Sequence, residues 1–296
     1  MPQLQQSRSL ALVVSCTQGK RLPAPEELRV RNHRAGSGRC ALWVNQVRGA
    51  RRTTALRDLY KGQQWAASLA LEEAAAAVYA SVHLWVVSAG LGLRRAEDTG
   101  PGYEAAFTAG PDSVSPTLPG RRAWWTQLLD LTGGLGVRDV RATADDMLVV
   151  LSPSYLSVLE PHLMEVDDEG VAIVTSDSRR HPRSISSGGL QTTLGGSDQT
   201  LSLRAANRVI DLAAGTPVGA DSVLDAYRSW AAPLRTGRTY DRRPLQDDEL
   251  RQIIRAAGGV GRSSATLMLK QLRRDGFACE QKRFHRLYAE TTSGAA

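Results

Sequence analysis

Leu84-Trp-Val-Val-Ser-Ala-Gly-Leu-Gly-Leu-Arg-Arg-Ala-Glu-Asp-Thr-Gly-Pro-Gly-Tyr-Glu-Ala-Ala-Phe107 is the stretch on which the fold turns. Leu84 to Val87 form a short apolar run, which predicts a buried strand. The run stops at Ser88 and opens into a loop with Gly90 and Gly92, then Asp98, Gly100, Pro101, Gly102 and Tyr103. Glycines let backbone N–H groups approach a ligand closely, and open α/β sheets keep their sites beyond the carboxyl ends of their strands. An ordinary strand exit looks the same in this stretch alone, so what matters is whether the pattern recurs.

It recurs three times. Leu10–Ser15, Met147–Ser152 and Val171–Ser176 are also apolar runs that end in serine. Helical patterns lie between them. Thr53 to Tyr79 is rich in alanine and places Leu56, Leu59, Tyr60, Trp65, Leu69 and Leu71 at roughly helical spacing. Pro119–Leu131, Tyr155–Met164 (with Pro153 in its first turn) and Leu201–Leu212 follow the same logic. Cys40–Val47 fits an extra strand or the start of a helix, and 186–197 reads as a Gly/Ser/Thr loop. Strands alternating with helices predict an α/β fold, a mostly parallel sheet with helices on both faces. Such a sheet would set Ser15, Ser88, Ser152 and Ser176 along one edge, as a polar crevice able to donate hydrogen bonds to phosphate or sugar oxygens. Serine is also common at strand exits and helix caps, which is the simpler account of each one alone.

Composition narrows the classes. The 296 residues are 42% hydrophobic and 23% charged, as in a soluble globular protein. The apolar stretch 66–78 is too short for a membrane span and is interrupted by Glu72 and Glu73. The N-terminus lacks the charged-then-apolar form of a signal peptide. Cys16, Cys40 and Cys279 have no metal-ligand spacing, and their odd number argues against a disulfide framework, so a cytoplasmic protein is expected.

Charge is unevenly placed. Residues 235–290 hold 13 Arg or Lys against 7 Asp or Glu, so nearly all of the net charge of +7 lies there. The sequence divides into an α/β catalytic or nucleotide-binding domain at 1–218, a helix and basic linker at 219–244, and a helical module at 245–296. In that module 247–257, 263–275 and 280–288 read as short helices, with Asp247 and Ser263 as N-caps and a turn at Gly276. The pattern predicts a helix-turn-helix or winged-helix-like DNA-binding module. Its phosphate contacts would be Arg262, Lys270, Arg273, Arg274, Lys282, Arg283 and Arg286. A solvated basic surface is the alternative.

The ordered set Ser15-Cys16, Lys20-Arg21, Leu59-Tyr60, Ser88-Ala-Gly-Leu-Gly-Leu, Asp98 and Tyr103 resembles the YaaA-like (peroxide-stress) superfamily. There a Ser-Ala-x-x-Gly-Leu strand exit is followed by an Asp and a Pro-x-Tyr-like segment, which Pro101-Gly-Tyr103 matches loosely. Gly90 stands where relatives often carry a bulkier residue. The Gly195-Gly-Ser-Asp198 loop and Ala278-Cys-Glu-Gln-Lys-Arg-Phe284 look like relatives with a DNA-binding C-terminus. Such proteins are similar to the wider uracil-DNA-glycosylase-like and deazaguanine base-handling group. The resemblance implies chemistry at an N-glycosidic bond, as in a phage-defence DNA glycosylase that excises modified bases.

That chemistry needs a carboxylate near the sugar, to orient water or stabilise an oxocarbenium-like cation, and donors near the departing base. Asp98 and Asp198 are the candidate catalytic carboxylates because both lie in glycine-rich loops; an Asx-turn and a helix cap are their structural alternatives. Lys20 and Arg21 would hold phosphate, Ser15, Ser88 and Ser152 would line the pocket, and Tyr103 or Tyr155 would stack on the base. Cys16, Gln18, Gly90 and Ser197 complete the predicted substrate site. The five histidines are scattered, and neither P-loop, Gly-x-Gly-x-x-Gly nor Gly-x-Ser-x-Gly is present, so no metal or cofactor is expected. Two rivals remain: a non-catalytic DNA-binding stress or regulatory protein, and an enzyme acting on free nucleosides.

Overall fold

The computed structural model describes residues 8–51, 54–176, 181–236, 243–258 and 264–293, which fall into two units, Met1–Thr236 and Gly237–Ala296. The first unit begins with β1 (Ser9–Ser15), buried along nearly its whole length. After a long loop comes α1 (Arg39–Gly49), so Cys40–Val47 is helix, with Trp43, Val44 and Val47 on its buried face. The stretch expected as one helix from Thr53 is broken instead into β2 (Thr54–Ala55), α2 (Leu56–Leu59) and α3 (Gln63–Ala76), and Thr53 itself lies outside the described residues. The break has a local cause. Tyr60 is extended and bridges Lys20, and Gly62 takes a positive φ of 103° that helix cannot accommodate.

The chain then runs through β3 (Ser81–Ser88), β4 (Gly92–Arg95), β5 (Thr99–Gly100), α4 (Leu118–Thr132), α5 (Val137–Arg141) and β6 (Asp146–Val150). It continues as α6 (Pro153–Leu163), β7 (Val171–Thr175), β8 (Ser184–Ser186), α7 (Gln191–Leu194), α8 (Leu201–Ala213) and α9 (Asp221–Ala231). The central sheet has six strands in the order β4-β3-β1-β6-β7-β8. All neighbours are parallel except β3 and β4, which form a hairpin. Leu12 of β1 stands in register with Leu84 and Leu148, so the three runs read as strands form the middle of the sheet. The hairpin strand β4 falls in a segment read as loop, and the edge strand β8 shares only Ser186 with the predicted Gly/Ser/Thr loop; β4 carries Arg94 and Arg95, with the Arg95 guanidinium 5.3 Å from the Trp85 ring centroid.

Helices pack in two groups, α1 with α4, α4 with α6 and α5 with α6 in one, α3 with α8 and α8 with α9 in the other. Val13, Met147 and Val149 meet Val137, Val140 and Leu159 of the first group, while Val150 borders Leu203 of α8. Because α9 packs on α8, the unit boundary falls after Thr236 and not at Gly219.

The second unit contains β9 (Arg243–Pro244), α10 (Asp247–Gly258), α11 (Ala265–Arg274), β10 (Phe277–Ala278) and α12 (Gln281–Ser293). Leu250, Ile254, Leu269, Leu272, Phe284 and Leu287 form its own core, and β9 pairs with β10 in parallel. Ser264 caps α11 by accepting from the Leu267 amide, one residue later than the expected cap Ser263, which lies outside the described residues. No helix among the described residues is long and apolar enough to cross a membrane.

Candidate functional site

Parallel pairing sends β1, β3, β6 and β7 toward the same edge, and there the loop after β1 is tied to the loop before α3. Cys16 N donates to Val87 O at 2.9 Å, extending the sheet by one residue. Thr17 Oγ1 bonds the carbonyls of Gly19 and Lys61 at 3.0 and 3.1 Å, Lys61 N donates to Gly19 O at 3.0 Å, and Arg21 N to Leu59 O at 2.8 Å. These bonds hold open a cleft of about 520 Å³ beyond the ends of β1 and β6. That volume suits a nucleoside-sized ligand.

The floor beneath it is a buried hydroxyl network. Ser88 Oγ accepts from Gly90 N at 3.1 Å and Leu91 N at 3.0 Å, and lies 2.5 Å from Tyr103 OH, which in turn lies 2.7 Å from Tyr60 OH. Two amides fill the lone pairs of Ser88, so its proton goes to Tyr103 and that of Tyr103 to Tyr60. Burial pushes both phenols well above their ordinary range, which keeps them protonated. Lys20 Nζ rests 4.2 Å from the centroid of the Tyr103 ring and donates to Thr17 O at 3.2 Å. Burial lowers the Lys20 amine from its ordinary value, opposed by the Cys16, Glu104 and Asp112 charges.

Two carboxylates line one side. Arg31 spans them, with NH2 2.9 Å from Glu104 Oε2 and NH1 3.2 Å from Asp112 Oδ2. The Glu104 backbone is fixed by bonds to Val30 N at 2.9 Å and Leu28 O at 2.8 Å, and Ala106 N donates to Asp112 O at 2.9 Å. The Asp112 side chain is 12% exposed, and its Oδ1 is buried without a hydrogen-bond partner. Burial first, then the adjacent Glu104 carboxyl, raises the Asp112 pKa; Arg31 offsets part of that rise. Burial and the neighbouring carboxyl thus favour the protonated form of Asp112, which suits it to an acid's role.

Of the residues singled out from the sequence, Cys16, Gln18, Lys20, Ser152 and Tyr155 line this cleft. Ser88 and Tyr103 lie under it. Ser15 is buried behind it, its Oγ accepting from Ser152 N at 2.9 Å, and Tyr155 OH lies 3.2 Å from Cys16 Sγ. The others are elsewhere. Arg21 is exposed and outside the lining. Gly90 serves packing and not ligand approach: its amide goes to Ser88, its carbonyl accepts from Trp43 Nε1 at 2.8 Å, and a Cβ would come 2.7 Å from the Tyr103 ring. Asp98 closes the β4–β5 turn by accepting from Arg95 N at 3.1 Å and does not reach the cleft. Asp198 and Ser197 open a 3-10 turn in which Ser197 Oγ meets Thr200 Oγ1 at 3.2 Å; the next residue, Gln199, is the one that lines the cleft. Glu104, Asp112 and Lys61 were missed. Glu104 directly follows Tyr103 in the phrase that opened the sequence reading, and Asp112 follows Gly110-Pro111. Their pairing depends on Arg31, in a single 3-10 turn (Val30–Asn32) with no periodic signal.

In the second unit the basic residues separate into two kinds. Arg273 NH2 bonds Cys279 O at 3.1 Å, Arg283 Nε bonds Asp247 Oδ1 at 2.7 Å, and Arg286 stands 4.0 Å from Asp247 and 3.8 Å from Glu290. Lys270, Arg274 and Lys282 are exposed and make no ion pair among the described residues. Thr266, Leu267, Lys270, Gln271 and Arg274 form one exposed face of α11, where Leu267 is 62% exposed. Arg262 lies outside the described residues.

Among the described residues no group of three His, Cys, Asp or Glu side chains is placed to hold a metal ion. Compared with protein-family models, curated proteins and solved structures, the chain matches none.

Proposed function

We propose that the cleft takes a nucleotide of DNA carrying a modified base and hydrolyses its N-glycosidic bond, with the Asp112–Glu104 pair in the role first given to Asp98 and Asp198. The observation that carries this reading is the pair itself: two carboxyls braced by Arg31, one of them with a buried unpartnered oxygen, in a cleft large enough for a nucleoside. Asp112, whose pKa is raised by burial and by the neighbouring Glu104 carboxyl, is the group assigned to donate a proton to the departing base. Glu104 is the carboxylate assigned to orient water and to stabilise the positive charge that develops on the sugar. Gln18, Gln63, Gln64 and Gln199 offer amide edges to a flipped base, and Tyr155 an aromatic wall.

The phosphate side is supported by Lys61 and the first turn of α3, which lines the cleft and contains no acidic residue. The exposed face of α11 is the part of the second unit suited to a duplex, its cations to phosphates and Leu267 to a base edge. A chain that removes modified bases would act against phage genomes built from them. Incubation of the full chain with matched unmodified and base-modified DNA, followed by alkali, should reveal abasic sites only in the modified DNA. Asp112→Asn should lower the rate on the order of a thousandfold and Asp98→Asn should leave it near parental. DNA binding with no abasic site on any modified DNA would favour the non-catalytic alternative.

A further inference from the structure

Only four of the 37 Lys and Arg residues are lysines: Lys20, Lys61, Lys270 and Lys282. Arginine fills every other cationic position, yet two of the four lysines line the cleft. A guanidinium cannot lose its proton in a protein; an amine can, and then becomes a nucleophile. Lys20 places its amine in the cleft beside the carboxyl pair. Its Nζ donates to the Thr17 carbonyl at 3.2 Å, lies 4.2 Å from the Tyr103 ring centroid, and forms no ion pair among the described residues. Here the nearest acids on the cleft wall, Glu104 and Asp112, are bound by Arg31 instead. Burial of the amine lowers its proton affinity.

We propose that Lys20 is a nucleophilic amine that condenses with the C1′ aldehyde of an abasic deoxyribose in DNA and so gives the protein a strand-cleaving lyase activity. The proposal rests on the reading of the cleft as a glycosidic site, because base removal generates that aldehyde. The neutral amine adds to C1′, and the carbinolamine loses water with a proton from the Asp112–Glu104 pair, leaving an iminium. The ionised carboxylate then removes a C2′ proton, the C–H electrons form a C2′–C3′ double bond, and the 3′ phosphate departs with its electron pair. Water hydrolyses the imine and returns the amine. No oxidant or reductant is required.

The test uses an oligonucleotide with a preformed abasic site, so that it does not depend on whether the protein removes any base. The full chain is mixed with this DNA and sodium cyanoborohydride, which reduces an iminium to a stable amine, and the adduct is located by peptide mass mapping. A parallel arm offers free 2-deoxyribose 5-phosphate, and another omits the reductant and measures strand cleavage. The proposal expects a DNA adduct on Lys20 and cleavage without reductant, both lost in Lys20→Arg, which keeps the charge and removes the amine. It is overturned by the absence of an adduct, by an adduct on Lys61, Lys270, Lys282 or the N-terminal amine, or by an adduct formed with the free sugar phosphate alone. Mapping is done on the parental protein, so the result stands even where Lys20→Arg folds poorly. Trapping without base excision on modified DNA would leave Lys20 as assigned and defeat the glycosylase reading; excision without trapping would do the reverse.

Discussion

The two ends of the central sheet treat a carboxylate in opposite ways. At the amino end Asp146, fully buried at the start of β6, accepts from Arg8 Nε at 2.8 Å and Arg8 NH2 at 2.7 Å and from Val218 N at 3.2 Å. At the carboxyl end Asp112 shares one arginine with a second acid and keeps an oxygen with no partner. One site is satisfied by its own fold; the other is left needing something from outside. Burial alone therefore does not single out a candidate carboxylate; what sets Asp112 apart from Asp146 is an oxygen left without a partner.

Exchanging the side chains should separate stability from activity. Asp146→Ala removes the counter-charge of a part-buried arginine and should cost about 3 kcal/mol, lowering the thermal midpoint on the order of 10 °C. Activity per folded molecule should be unchanged. Asp112→Asn should do the opposite, abolishing base excision while leaving the midpoint where it is or higher. Calorimetry and excision assays on both variants check this, and a midpoint loss at Asp112 equal to that at Asp146 would erase the distinction.

The direction of the Asp112 shift sharpens the same contrast through pH. A carboxyl with a raised folded pKa binds more protons when folded than when unfolded over the interval between the two values. Its contribution to stability is therefore most favourable at acid pH and declines as pH rises through that interval, the reverse of a carboxylate satisfied as an ion pair. Excision should likewise decline as pH passes the raised value, because the proton donated to the base is lost. Asp112→Asn should remove both dependences. An excision profile that rises across this range in the parental protein would exclude Asp112 as the acid.

The floor of the cleft gives a smaller effect. Gly90→Ala places a Cβ 2.7 Å from Tyr103 and 3.0 Å from Trp43, both buried, and should cost about 1–3 kcal/mol. Because Tyr103 carries Lys20 on its face, the substitution should also lower excision, measured beside the unfolding midpoint.

These effects show what the sequence could and could not convey. Periodicity revealed β1, β3, β6 and β7 because each is an uninterrupted apolar run in the middle of a sheet, and their parallel pairing aligned the four serine exits. It missed β4, whose arginines stack and bond outward, and it joined α2 to α3 because alanine and leucine spacing does not register the bridge between Tyr60 and Lys20. At the site, Cys16 directly follows β1, Lys20 lies in the loop after it, and Tyr155 is in the first turn of α6 just beyond β6, so the strand pattern leads to all three. Asp112 was not legible, since its character comes from Arg31, 81 residues away in sequence. Asp98 looked the better candidate only because local glycines are visible in a sequence and long-range partners are not.

The second unit repeats the comparison at the level of single cations. Arg283 and Arg286 face Asp247 and Glu290 within the unit, whereas Lys270 and Arg274 share the exposed face of α11 with no ion pair among the described residues. All four count equally toward the net charge, yet only unpaired ones are free to displace the counterions that a DNA backbone holds. Replacing Lys270 and Arg274 together by alanine should weaken DNA binding and reduce the logarithmic salt slope by about 2, close to one unit for each phosphate contact removed. Arg283→Ala should change the slope much less, because the guanidinium it removes was already neutralised by Asp247. Fluorescence anisotropy with a labelled duplex over a range of salt concentrations measures both. Equal slopes for the two variants would mean that ion pairing inside the unit does not decide which cations meet DNA, and that charge count alone was the right guide.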